Sequence, residues 1–71
     1  MSKGIVEKYI SNRGFGFIQD TDTFNKLFFH ISDVEGEDID VGNVVEYRSV
    51  NTSKGLSAKD VVVIKSGISQ D

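Results

Sequence analysis

The sequence predicts an all-β protein folded as one small barrel of five short strands, and three observations carry that expectation. Apolar and polar residues alternate, β-branched residues are plentiful, and no window of about 11 residues carries a helical stripe. Turn-forming residues punctuate the chain at short intervals. Finally, 71 residues are room for a single domain, one that buries only about 60% of the surface exposed by its unfolded chain.

Each element follows from its local sequence. The first strand is expected over 3–10 (KGIVEKYI) and the second over 14–20 (GFGFIQD), with Ser11-Asn12-Arg13-Gly14 as the tight turn that makes them a hairpin. The third is expected over 26–31 (KLFFHI), after the polar turn Asp20-Thr21-Asp22-Thr23, so that the first three strands form a meander. Ser32 to Gly42 is the longest strandless connection, with one helical turn near its start. Gly42-Asn43 then turns the chain into a fourth strand over 43–50 (NVVEYRSV). Asn51 to Gly55 reads as a mobile loop before a fifth strand over 56–65 (LSAKDVVVIK). The domain spans 1–66 in this reading, and 67–71 form a short flexible C-terminal tail. The chain has no Pro, so protection of strand edges falls to closure or to charge.

Composition narrows the chemistry. At 38% hydrophobic and 27% charged, the chain is too apolar for wholesale disorder. Having no Cys, it can build neither a disulfide framework nor a thiolate metal site, and its single His cannot form a His cluster. Neither a metal nor a cofactor is expected. So small a domain has no room for a large enclosed active-site cavity, so no small-molecule substrate is expected, and the protein is read as a monomer. The N-terminal MSKGIVEKYI lacks the apolar core of a signal peptide, and nowhere do about 18 apolar residues run together. The expectation is a cytoplasmic protein with no membrane partner.

Net charge is −3, which by itself argues against a polyanionic ligand. The distribution of charge points the other way. Asp33, Glu35, Glu37, Asp38 and Asp40 fall within 33–40, a segment with no Lys or Arg, and the remainder holds 8 basic against 6 acidic residues. A bipolar molecule of this kind can present a mildly basic face.

The informative motif is Arg13-Gly14-Phe15-Gly16-Phe17-Ile18. Successive strand side chains point to opposite faces, so Phe15 and Phe17 share one face and Gly14, Gly16 and Ile18 the other. Gly16 offers no side chain, which in a strand marks tight curvature or a close backbone approach. In Lys26-Leu27-Phe28-Phe29-His30-Ile31 the same alternation sets Lys26, Phe28 and His30 on one face and Leu27, Phe29 and Ile31 on the other. Together these strands offer a patch of Phe15, Phe17, Phe28 and His30 bordered by Arg13 and Lys26. Flat rings with cations nearby suit unpaired nucleobases.

The opposing reading is that strand phenylalanines are ordinary core. Val6, Ile18, Leu27, Phe29, Val34, Val45, Tyr47, Val61 and Val63 already supply a barrel interior, however. The reversed register would turn Lys26 and His30 inward, and an unpaired buried charge costs far more than an exposed methyl-rich side chain. His30 is open to three readings: stacking surface, satisfied structural His, or catalytic base. Phe24 sits in a loop as a barrel plug or as a further platform, and plug is the reading adopted.

At these residues the chain resembles the bacterial cold-shock domain, a five-stranded antiparallel OB-fold barrel. The two ribonucleoprotein-type motifs of that family look like Arg13–Ile18 and Leu27–Ile31 here, in order on adjacent strands, and the resemblance spans roughly residues 3–65. Gly42 and the Lys54-Gly55 pair look like further landmarks. The resemblance implies that Phe15, Phe17, Phe28 and His30 stack bases, joined by Tyr9, and that Lys8, Arg13, Lys26 and Lys54 lie near phosphates or polar base groups. It also departs from the family: Lys8 stands where a Trp is usual and Tyr9 where a Phe is. Ile31 replaces a common aromatic, and the acidic connection 35–40 is short and has no ring. These departures imply weaker binding than that of a typical member, on the order of micromolar.

The sequence therefore points to a binder of single-stranded RNA or DNA with loose preference, acting as an RNA chaperone on transcription or translation in cold or other stress. An OB-fold module that docks a protein through its aromatic patch or acidic loop is the alternative from another class. No paired catalytic constellation is visible, so the chain is read as no enzyme.

Overall fold

The computed structural model describes residues 1–36 and 39–65. Five strands, β1 (Ser2–Ile10), β2 (Phe15–Asp20), β3 (Lys26–His30), β4 (Val44–Thr52) and β5 (Gly55–Lys65), close into a barrel in the order β1-β2-β3-β5-β4. Closure leaves β1 paired with both β2 and β4, so the missing prolines are not needed to guard an edge. The expected meander of β1, β2 and β3 is antiparallel throughout. Only the closing seam departs from that pattern: β3 meets β5 in parallel at Phe28 and Ser57, extended by a parallel bridge between Val34 and Val61.

Turn chemistry sets the ends of the strands. Gly14 takes φ +74° to close the β1–β2 turn, and its amide and that of Arg13 both donate to Ile10 O. The β2–β3 turn is organised by Asp20, whose Oδ1 accepts from the amides of Asp22 and Thr23 at 2.8 and 3.0 Å. Ile31–Asp33 forms a single 3₁₀ turn, the helical turn expected at the start of the long connection, so β3 ends at His30 rather than Ile31. The stretch Asn51 to Gly55 is not the mobile loop that the sequence suggested. Pairing continues to Thr52 and Gly55, leaving only Ser53-Lys54 as a tight hairpin loop, because Thr52 Oγ1 both accepts from the Lys54 amide and donates to Gly55 O. The expected tail 67–71 lies outside the described residues, as does the acidic pair at 37 and 38.

Buried apolar residues fill the barrel: Val6, Ile18, Leu27, Phe29, Ile39, Val45, Tyr47, Ala58 and Val61. Val34 and Val63, expected inside, pack against this cluster only half-buried. Ile39 and Ala58 were not anticipated, the first because its sequence neighbours are acidic and the second because it is small. Phe24 is no plug: it is 70% exposed, on a left-handed backbone of φ +62° that turns its ring away from the barrel.

One buried polar pair crosses this core. Tyr47 donates its hydroxyl to Asp20 Oδ2 at 2.5 Å. That bond, with the two backbone amides, holds the Asp20 carboxyl below its usual range. Burial, reinforced by the Asp20 carboxylate, pushes the Tyr47 hydroxyl well above its ordinary value.

Candidate nucleic-acid interface

Phe15, Phe17 and Phe28 occupy the outer face of β2 and β3, as alternation requires. Phe17 lies directly across from Phe28, and Phe15 from His30. Phe28 is the hub: its ring lies 5.6 Å from that of Phe15, tilted by 32°, and 6.1 Å from that of Phe17, edge-on at 74°. Such spacings let the rings shield one another while leaving flat area wet. Phe28 is 38% exposed, and Phe15 and Phe17 are partly covered.

His30 is exposed and also structural. Its Nδ1 accepts from the Ser32 amide at 3.1 Å and lies 2.9 Å from Ser32 Oγ, capping the 3₁₀ turn. A backbone amide can only donate, so the proton of the neutral ring is assigned to Nε2. The ring is thereby fixed in place at the Phe15 end of the patch.

A β-bulge decides what β1 contributes. Val6 pairs with Ile18 and Lys8 with Phe17, which leaves Glu7 as the extra residue. The parity of β1 flips there, so Glu7 and Lys8 both line the groove beside Phe17 and Phe28, together with Lys26, Lys54, Gly55 and Leu56. Tyr9 is sent the other way. It lies across from Gly16, and its ring stacks on buried Phe29 at 6.0 Å and 20°, apart from the cluster of Phe15, Phe17 and Phe28. Gly16 makes the bulge possible, because a Cβ there would collide with the Lys8 carbonyl and approach Phe29 Cε2 to 2.9 Å.

The cations divide between the ends of the patch. Arg13 is exposed in the β1–β2 turn, whose Gly14 lies beside the His30 ring. Lys8, Lys26 and Lys54 gather at the other end, where Lys26 Nζ stands 3.5 Å from Glu7. Sequence reasoning missed Glu7 and Leu56 as members of the groove. The available signal was Gly16, since a glycine inside a strand marks a close approach and so a break in alternation opposite it.

Residues 2–64 match the family model of the 'Cold-shock' DNA-binding domain. The chain belongs to the cold-shock domain family. The cold shock-like protein CspB of Yersinia pestis is 36% identical over 64 residues, covering 86% of this chain and 91% of that one. Calcium-regulated heat-stable protein 1 of Homo sapiens is 37% identical over 65 residues, which cover 86% of this chain but 44% of that longer protein. Among solved structures, the cold-shock region of Drosophila Unr (CSD456) superposes with a TM-score of 0.76 over 97% of this chain and 29% of that chain. At 24% identity it attests the barrel alone. Nucleic-acid binding is the business of the cold-shock domain family. Among the described residues, no helix is long and apolar enough to cross a membrane.

Proposed function

We propose that this cold-shock domain binds single-stranded RNA or DNA by stacking bases on Phe15, Phe17 and Phe28, with His30 at one end. The observation that carries this reading is the outward-facing three-ring cluster, partly exposed, with Lys8, Lys26 and Lys54 at one end and Arg13 in the turn at the other. Exposed apolar rings that touch one another forgo burial and ask for a partner, and a nucleobase offers a flat face of matching size. Lys8, Arg13, Lys26 and Lys54 hold the phosphates. Tyr9 supports the platform from beneath, through Phe29. Preference among sequences is loose because every base has a face to stack. The protein acts in the cytoplasm as a monomeric RNA chaperone, turning over no substrate. By trapping unpaired segments it opposes hairpins and so affects transcription or translation in cold or other stress.

Titration of labelled hexanucleotides with the wild type and with Phe17→Ala and Phe28→Ala tests this. Each truncation is expected to weaken binding by about 5- to 150-fold, the equivalent of one lost stack. Four engaged cations predict a slope of about −3 for the logarithm of affinity against that of salt concentration. Unchanged affinity in well-folded variants would defeat the stacking reading.

A further inference from the structure

The groove beside Phe17 and Phe28 carries a charge that phosphate binding does not explain. Lys8, Lys26 and Lys54 line it, and so does Glu7. A carboxylate repels a phosphodiester backbone. It does suit hydrogen-bond donors, and the only donors that an unpaired nucleic acid offers besides its sugar hydroxyls lie on base edges.

Glu7 owes its place to the bulge, which turns it to the same side as Lys8. Among the described residues its ion-pair partner is Lys26, at 3.5 Å, with side chains 35% and 64% exposed. That separation exceeds the roughly 2.7–2.9 Å of a charge-assisted hydrogen bond. Lys26 therefore restrains the carboxylate over the groove while leaving its lone pairs open.

We propose that Glu7 reads the base stacked beside it, accepting hydrogen bonds from the base edge so that the groove favours amine-bearing bases, guanine foremost, over thymine and uracil. The proposal rests on the stacking reading above. Guanine presents N1–H and N2–H side by side, which two carboxylate oxygens can accept together. Cytosine and adenine present one amine beside a ring nitrogen that accepts. Thymine and uracil present one N–H between two carbonyls, and those carbonyls repel the carboxylate. Selectivity is small because the site is open to water, which keeps it compatible with a loose binder.

The test is fluorescence anisotropy with labelled (dT)6, (dC)6 and d(TG)3 against wild type, Glu7→Gln, Glu7→Ala and Phe28→Ala. Wild type is expected to bind d(TG)3 about fivefold more tightly than (dT)6, with (dC)6 between them. In both Glu7 variants the three affinities should converge to within about twofold, with (dT)6 bound no more weakly than by wild type. In wild-type protein, the Glu7 carboxyl carbon should shift more in NMR spectra on adding d(TG)3 than on adding (dT)6, a readout that needs no variant to fold. Equal binding of the three oligonucleotides by wild type, or a preference that survives both Glu7 substitutions, overturns the assignment. Phe28→Ala separates the two ideas. Wild-type affinity in that variant defeats stacking and with it the base placed beside Glu7, whereas reduced affinity with the preference intact supports both. A wild type that binds none of the three ends both.

Discussion

Phe28 and Phe29 are chemically identical neighbours on β3, yet one is 38% exposed and the other fully buried. Strand parity separates them. Phe29 points into the barrel, where it stacks on Tyr9 above Gly16, while Phe28 points out between Phe15 and Phe17. The same ring thus fills the barrel on one side and on the other is left partly in water, where the proposed stacking would use it, so a side chain's role here is set by the face it occupies. The inner ring gains the full transfer free energy of its area, about 1.5–3 kcal/mol, and the outer ring only part of it.

The strongest way to break this comparison is to truncate each ring in turn. Phe29→Ala should cost about 3–5 kcal/mol, through lost transfer energy and the cavity left in the barrel. A chain of this length has only about 4–10 kcal/mol in total, so at the lower end of that range much of the variant would be unfolded near room temperature. Phe28→Ala should cost less than about 1 kcal/mol, because the ring is already half in water, and its deficit should appear in oligonucleotide binding instead. Urea midpoints for the two variants decide the matter; similar losses would mean that the faces are not energetically distinct.

Most of this two-sidedness was legible in the sequence because period-2 alternation is a strong constraint wherever one face has a ready apolar set. Of the nine residues expected in that set, Val6, Ile18, Leu27, Phe29, Val45, Tyr47 and Val61 are buried, while Val34 and Val63 are half-buried against them. Alternation failed at Glu7, where one unpaired residue reversed the parity of β1, sent Tyr9 beneath the sheet and brought an acid into the groove. A bulge arises from two strands meeting, so no single strand's pattern contains it. The 51–55 stretch failed for a related reason. Its polar, small residues look like a loop, but register with β5 and the Thr52 hydroxyl make it a tight hairpin. Phe24 faces water because its backbone is left-handed, a local choice that residue type disfavours and that sequence reading had no cause to expect.

Gly16 offers a sharper probe, since it sits between the two outward rings and faces inward against both β1 and Phe29. Gly16→Ala would drive a Cβ into the Lys8 carbonyl and to 2.9 Å from the Phe29 ring. Backbone cannot yield as a flexible side chain can, so we expect a loss of about 2–3 kcal/mol. We also expect a disturbed bulge, visible as amide shifts at Glu7 and Lys8 in NMR spectra. A substitution that left stability and those shifts unchanged would show that the bulge does not depend on this close approach.

A smaller effect than that of Gly16→Ala is expected at the Tyr47–Asp20 pair on the inner side. Tyr47→Phe keeps the ring that fills the barrel but removes the donor to Asp20, a hydrogen bond to a charged group worth about 1.5 kcal/mol. Its signature is in pH. Asp20 is held below its ordinary 3.8, so its contribution is fully present above that value and is lost as pH falls through the lowered folded value. Tyr47 is raised above its ordinary 10.0, so its contribution is present below pH 10.0 and declines above it, once the unfolded chain's hydroxyl ionises. The stability gap between wild type and Tyr47→Phe should therefore be a plateau at neutral pH that narrows at both extremes. Denaturation at a series of pH values measures it. A gap that stayed constant from neutrality down to about pH 2 would mean that the hydroxyl stabilises the barrel by filling space rather than by holding the Asp20 charge.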